Sequence, residues 1–137
     1  MLKSYEGAHK QSAIIEKEIR RRLKKPAGKL TEADLRKVKD LHFAPSNNIE
    51  ISDAGLKKIA TDSFLQFSDP FWGLLPNPFP SQLTLLTLYE CRNITDAGLK
   101  ELANLKQLKT LVLNGTKVTR SGVAQLQKAL PNCRINY

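Results

Sequence analysis

Apolar residues in the last third of the chain return in one frame: Leu83-x-x-Leu86-x-Leu88, Leu108-x-x-Leu111-x-Leu113 and Leu130-x-x-Cys133-x-Ile135. A frame that recurs every 20 to 29 residues or so marks a solenoid, in which each short strand and its return segment bury their apolar sides only by stacking. Val38-x-x-Leu41-x-Phe43 repeats the frame earlier, which predicts a first strand near 40–43. Aligning the frames makes Leu41, Leu86, Leu111 and Cys133 neighbouring rungs. A second motif follows the strands. Ile51-Ser52-Asp53-Ala54-Gly55-Leu56 is matched by Ile94-Thr95-Asp96-Ala97-Gly98-Leu99 and, more loosely, by Val118-Thr119-Arg120-Ser121-Gly122-Val123. Ser52, Thr95 and Thr119 are suited to cap return helices. Asp53 and Asp96 compensate the dipoles of those helices. Gly55, Gly98 and Gly122 allow each helix to approach its neighbour closely.

Ahead of the first strand, Ile15, Ile19 and Leu23 recur every fourth residue, and Lys17, Arg21, Arg22 and Lys25 occupy the other faces. That spacing predicts a helix over 13–25, stopped by Pro26-Ala27-Gly28. Before about residue 12 no periodicity is visible, so a loose arm is expected. Thr31 with Asp34 three positions on forms an acidic variant of the capping box and opens a second, short helix carrying Leu35 and Val38 inward.

One segment breaks the period. Gly98 and Leu108 are ten residues apart, whereas the matching pair Gly55 and Leu83 are 28 apart, a difference of 18. The extra residues fall in 62–82 and hold Phe64, Phe67, Phe71, Trp72 and Phe79 among four prolines. Proline forbids a long helix or a central strand there. The expectation is a return helix running on to about Phe67, then an irregular proline-rich excursion packed outside the stack. Phe71 and Trp72 either cover a flank or form a secondary interface, with homodimerisation through 62–82 as a special case.

The chain of 137 residues is long enough for one domain with a real core. The expected plan is a single α/β domain: an arm and helical cap (1–37), a first repeat (38–61), the insertion (62–82), then repeats with a capping strand (83–137). Lys and Arg outnumber Asp and Glu by 22 to 13, leaving a net charge of +9. Such a balance suits an acidic protein, nucleic acid or an anionic surface without choosing among them. Helical spacing spreads the run Arg20, Arg21, Arg22, Lys24 and Lys25 over a solvated face. Nothing approaches the roughly 18 apolar residues of a membrane span. The first residues lead into a charged segment rather than an apolar signal core, so a cytoplasmic location is expected. Cys91 and Cys133 are too few for a disulfide scaffold and lie two strands apart in the stack, which predicts two free thiols.

The stretch 83–137 resembles bacterial leucine-rich repeat proteins. Leu88-Tyr-Glu-Cys91-Arg-Asn-Ile94-Thr-Asp-Ala-Gly98-Leu99 is similar to the cysteine-containing subtype of that repeat. Residues 15–35, with Ile15, Ile19, Leu23, Pro26, Gly28, Leu30, Thr31, Asp34 and Leu35, resemble the helical N-terminal cap of bacterial leucine-rich repeat domains. The resemblance implies a short α/β solenoid of about four parallel strands with helices on the convex side. It also implies that Cys91 and Thr116 point inward and bond backbone groups of the turning chain.

No grouping of His9, His42, the cysteines and the acids has metal-ligand spacing, and neither a nucleophile–base pair nor a glycine-rich phosphate loop is present. The expectation is therefore no enzyme, no metal and no cofactor. Strand positions outside the apolar frame face the concave side, where Asp40, His42, Leu85, Thr87, Tyr89, Thr110, Val112, Asn114 and Arg134 form the candidate partner-binding surface. In the predicted register Arg134 stands level with His42, Thr87 and Val112. The expected function is non-catalytic protein recognition, as a small scaffold or adaptor. The alternative is a basic nucleic-acid-associated protein.

Overall fold

The computed structural model describes residues 2–45, 51–67 and 74–137. In chain order they form α1 (Leu2–Leu23), α2 (Glu32–Arg36), β1 (Asp40–His42), α3 (Asp53–Thr61), β2 (Phe64–Gln66), β3 (Leu74–Pro76), α4 (Phe79–Gln82), β4 (Leu85–Thr87), α5 (Asp96–Leu102), β5 (Thr110–Val112), α6 (Arg120–Ala129) and β6 (Arg134–Asn136). Four strands make a parallel sheet in the order β1-β4-β5-β6, and β2 and β3 form a separate antiparallel ribbon. Each sheet strand has three residues, with the middle one turned to the core. This follows from side chains alternating across a strand.

Helix α1 begins well before the expected residue 13. Gln11 and Ser12 are buried although polar, so the packed face of this turn carries no apolar periodicity to read. Gln11 Oε1 accepts a hydrogen bond from the Ser52 N–H at 2.9 Å. Ile15 and Ile19 are fully buried as their spacing predicts. The helix closes with Lys24 in a left-handed conformation, where the Lys25 N–H bonds Arg20 O and the Lys24 N–H bonds Arg21 O. The capping box at Thr31 and Asp34 is present in both directions.

The return helices interlock through Asp and Gly. Asp53 accepts from the Thr95 N–H at 2.8 Å and from its hydroxyl at 2.5 Å. Asp96 accepts likewise from Thr119, at 2.8 and 2.6 Å. Both acids therefore do more than compensate their own helix dipole: each ties its unit to the next. The glycine of the following helix makes room, since a Cβ at Gly98 would collide with the Asp53 carboxylate and one at Gly122 with that of Asp96. Gln11 takes the same role toward Ser52, and a Cβ at Gly55 would strike its amide. Thr95 and Thr119 cap their helices with their side chains, whereas Ser52 makes no side-chain cap bond.

The sheet register matches expectation for three strands, with Leu41 beside Leu86 and Leu86 beside Leu111. It differs at the last. Leu111 pairs with Ile135, and Thr110 with Arg134, so Cys133 is not the fourth rung. The reason lies in a run of apolar residues three apart, Leu102, Leu105, Leu108 and Leu111, which lets the frame slide. Cys133 instead follows Leu130 as Leu108 follows Leu105: in each pair the second N–H bonds the carbonyl of the first. The Gln127 amide holds that turn by donating to Leu130 O and Cys133 O. Neither cysteine is in a disulfide, as expected, and both are buried.

The insertion is more regular than predicted. Helix α3 stops at Thr61 rather than continuing to Phe67, because the Asn77 amide donates to the carbonyls of Ile59 (2.7 Å), Asp62 (3.0 Å) and Lys58 (3.2 Å) at its end. The chain then forms the β2–β3 ribbon, with Pro76 at the end of β3. Phe79 is fully buried, Leu65 and Phe67 are buried, and Phe64 and Leu74 stay exposed. Gln82 fastens the segment to the cap by donating to Leu35 O and Val38 O. Phe71 and Trp72 lie outside the described residues. One continuous apolar cluster links α1, α2, the sheet strands, the return helices and Phe79.

Candidate functional site

The outward sheet face is built from residues flanking the buried middle of each strand. Two rows cross it: Asp40, Leu85, Thr110, Arg134, and His42, Thr87, Val112, Asn136. Arg134 thus stands beside Thr110, one row from its predicted place, and Asn136 fills the position next to Val112. Tyr89 and Asn114 follow the strand ends and are exposed, with Tyr89 at 49%. The register therefore sets seven of the nine predicted residues (Asp40, His42, Leu85, Thr87, Thr110, Val112 and Arg134) in two adjacent rows, and the shift of one row moves only Arg134.

At the opposite end the side chains are locked. His42 Nε2 lies 3.1 Å from Asp40 Oδ2, and His42 Nδ1 lies 3.1 Å from Thr87 Oγ1. With the proton on Nε2 the ring donates to Asp40 and accepts from the threonine hydroxyl. The same Asp40 oxygen accepts from Arg22 of α1. A single carboxylate oxygen serving two donors holds the imidazole in one orientation. Below it, Glu18 is completely buried and accepts from the backbone N–H of His42 at 2.5 Å and from Arg21 Nε at 2.7 Å. His42 sits on β1, an edge of the sheet, so this carboxylate closes an otherwise open strand edge. Arg22 joins the surface and the buried Glu18 supports it from beneath, both through α1, which no strand-based reading could reveal. The faint signal is that Glu18 directly precedes the core residue Ile19.

The basic run lies on a solvated face as expected, with Arg21, Arg22 and Lys24 exposed, and four of its five side chains also have acceptors within the protein. Arg20 is 3.5 Å from Glu16 and donates to Gly28 O at 2.9 Å, Arg21 pairs with Glu18, Arg22 with Asp40, and Lys25 with Asp34 at 2.9 Å. Hydrogen bonding from the Lys25 ammonium first, and then from the Thr31 N–H, lowers the Asp34 pKa to about 2. Asp96 is likewise held below the usual carboxylate range, by its bonds from the Thr119 hydroxyl and N–H. Cys91 lies inward as the repeat implies, its thiol donating to Phe43 O at 3.3 Å. Thr116 donates to Leu113 O at 2.6 Å. Burial pushes the Cys133 thiol pKa up. Among the described residues no three of His, Cys, Asp and Glu gather as a metal site, and no helix is long and apolar enough to cross a membrane.

Comparison with models of protein families gives no match, and no curated protein matches the chain.

Proposed function

We propose that the chain is a short leucine-rich repeat solenoid that acts as a non-catalytic protein-recognition module, a small scaffold or adaptor binding through the face made by Asp40, His42, Leu85, Thr87, Tyr89, Thr110, Val112, Asn114 and Arg134. One observation carries the reading: the exposed Tyr89 comes two residues after Thr87, and Thr87 belongs to a polar cluster in which His42 is held by Asp40 and Thr87 and Asp40 by Arg22. Contacts that are ordered before binding lose little entropy when a partner arrives, and aromatic residues with arginine tend to dominate interface energy. The internal pairing of Arg20, Arg21, Arg22 and Lys25 leaves the basic run a poor basis for nucleic-acid binding and favours a protein partner. The reading extends to a cytoplasmic location, which two cysteines outside any disulfide suit.

The test is affinity capture from the source cell, with the intact chain and a Tyr89→Ala/Arg134→Ala double variant run in parallel. Both side chains are exposed, so the variant keeps its denaturation midpoint. Partners held by the intact chain and lost from the variant support the site. Equal capture by both removes this face from consideration.

A further inference from the structure

The series that joins the units ends in a reversal. Gln11, Asp53 and Asp96 each present an oxygen acceptor to the backbone N–H of the next unit. Arg120 is the first residue of α6, the place that Asp53 and Asp96 hold in α3 and α5. An acceptor has become a donor. A further unit of the same kind would bring an N–H against a guanidinium, whereas a carboxylate would meet a planar fork of donors.

The same flank exposes a strand edge. Arg134 and Asn136 direct their backbone groups at β5, through Arg134 N–H to Lys109 O and Leu113 N–H to Asn136 O. Alternation in a parallel ladder then turns the N–H and C=O of Ile135 to the open side. Among the described residues no strand pairs there. The other edge of this sheet, at His42, is closed by the Glu18 carboxylate.

Charge completes the picture. After Glu101 the sequence has no acidic residue, while Lys106, Lys109, Lys117, Arg120, Lys128 and Arg134 supply six positive charges. The ion pairs formed between described residues lie at or before Asp62, and none of them involves these six cations. Like charge opposes pairing of this edge with the same edge of a second copy. Nucleic acid would use the charge but not the backbone groups of Ile135.

We infer that the β6 flank is a second docking surface, for an acidic protein segment that adds to the outer edge of β6 as an extended strand and places carboxylates on Arg120 and Arg134. It adjoins the sheet face centred on Tyr89 and shares only Arg134 with it. Backbone pairing supplies the register and the arginines select the charge.

The probe is a synthetic ten-residue peptide of alternating Glu and Val, titrated into the isotope-labelled chain at low salt. Controls are a Lys–Val peptide, a Glu–Val peptide N-methylated at alternate residues, and a single-stranded oligonucleotide of equal charge. The expected result is shifted amide resonances centred on Ile135 and Tyr137, no binding of the Lys–Val peptide, and at least tenfold weaker binding of the N-methylated peptide. Arg120→Glu/Arg134→Glu should weaken the acidic peptide at least tenfold while leaving the amide spectrum of the remainder in place. Tyr89→Ala alone should bind it normally, which separates this surface from the sheet face. The inference is overturned by no binding, by equal binding of the N-methylated peptide, by tighter binding of the oligonucleotide through the same arginines, or by concentration-dependent protection of Ile135 without peptide, which would make the occupant a second copy.

Discussion

Gly98→Ala should destabilise the protein, and the same change should stabilise it once Asp53 is removed. In isolation Ala is favoured over Gly inside a helix by about 1 kcal/mol. Here the new methyl group would overlap the Asp53 carboxylate and press on Leu56 Cδ1 at 3.1 Å. Asp53 would have to swing away from Thr95 and give up bonds of 2.8 and 2.5 Å. Bonds to a charged acceptor contribute about 1.5–3 kcal/mol each when buried, and roughly 1–1.5 each at this half-buried site. Losing both outweighs the propensity gain and leaves a net cost of about 1–2 kcal/mol. In an Asp53→Ala background the bonds and the carboxylate collision are already gone and only the contact with the end of the Leu56 side chain remains, so Gly98→Ala returns up to about 1 kcal/mol. The coupling between the two sites is then about 2–3 kcal/mol, well above the scatter of a double-mutant cycle. Urea denaturation of the four chains, followed by far-UV circular dichroism with midpoint and slope fitted together, measures it. If Gly98→Ala shifts the midpoint equally in both backgrounds, the Asp–Gly interlock is not what joins the units.

Glu18→Ala should cost about 2–4 kcal/mol in the same assay, because the His42 N–H loses its acceptor and Arg21 its partner, while Glu18→Gln, which keeps an acceptor oxygen, should cost roughly half as much. A loss below about 0.5 kcal/mol from Glu18→Ala would mean that water replaces the carboxylate at the β1 edge. Asp34 has a folded pKa of about 2 against an ordinary value of 3.8. Its contribution is therefore complete above the ordinary value and is lost as pH falls from about 4 toward 2. Denaturation midpoints measured across that range should fall less steeply for Asp34→Asn than for the parent chain, and identical slopes would rule out the Lys25–Thr31 arrangement as the cause.

The candidate face shows how far strand periodicity reaches. Leu85, Thr87 and Val112 follow from a frame of two apolar positions around each buried leucine, and they lie in the rows that frame gives them. Arg134 does not, because apolar residues three apart fit the last strand in more than one register, and the turn held by Gln127 selects one. The helical start of α1 was hidden for a related reason. Its docking turn uses Gln11 and Ser12, polar residues that leave no hydrophobic period.

Local chemistry written along the chain was enough for the parallel strands, the return helices and the capping box, because each depends on spacing within one unit and the units repeat, whereas the inward Cys91 followed from the resemblance to leucine-rich repeats. Contacts between residues far apart were decided only by the tertiary structure. A carboxylate from α1 closes the edge of β1, Asn77 ends α3, and Asp53 bonds Thr95 across 42 residues. Those partners are chosen by which surfaces meet once the strands align, and the linear order of residues carries no record of that meeting.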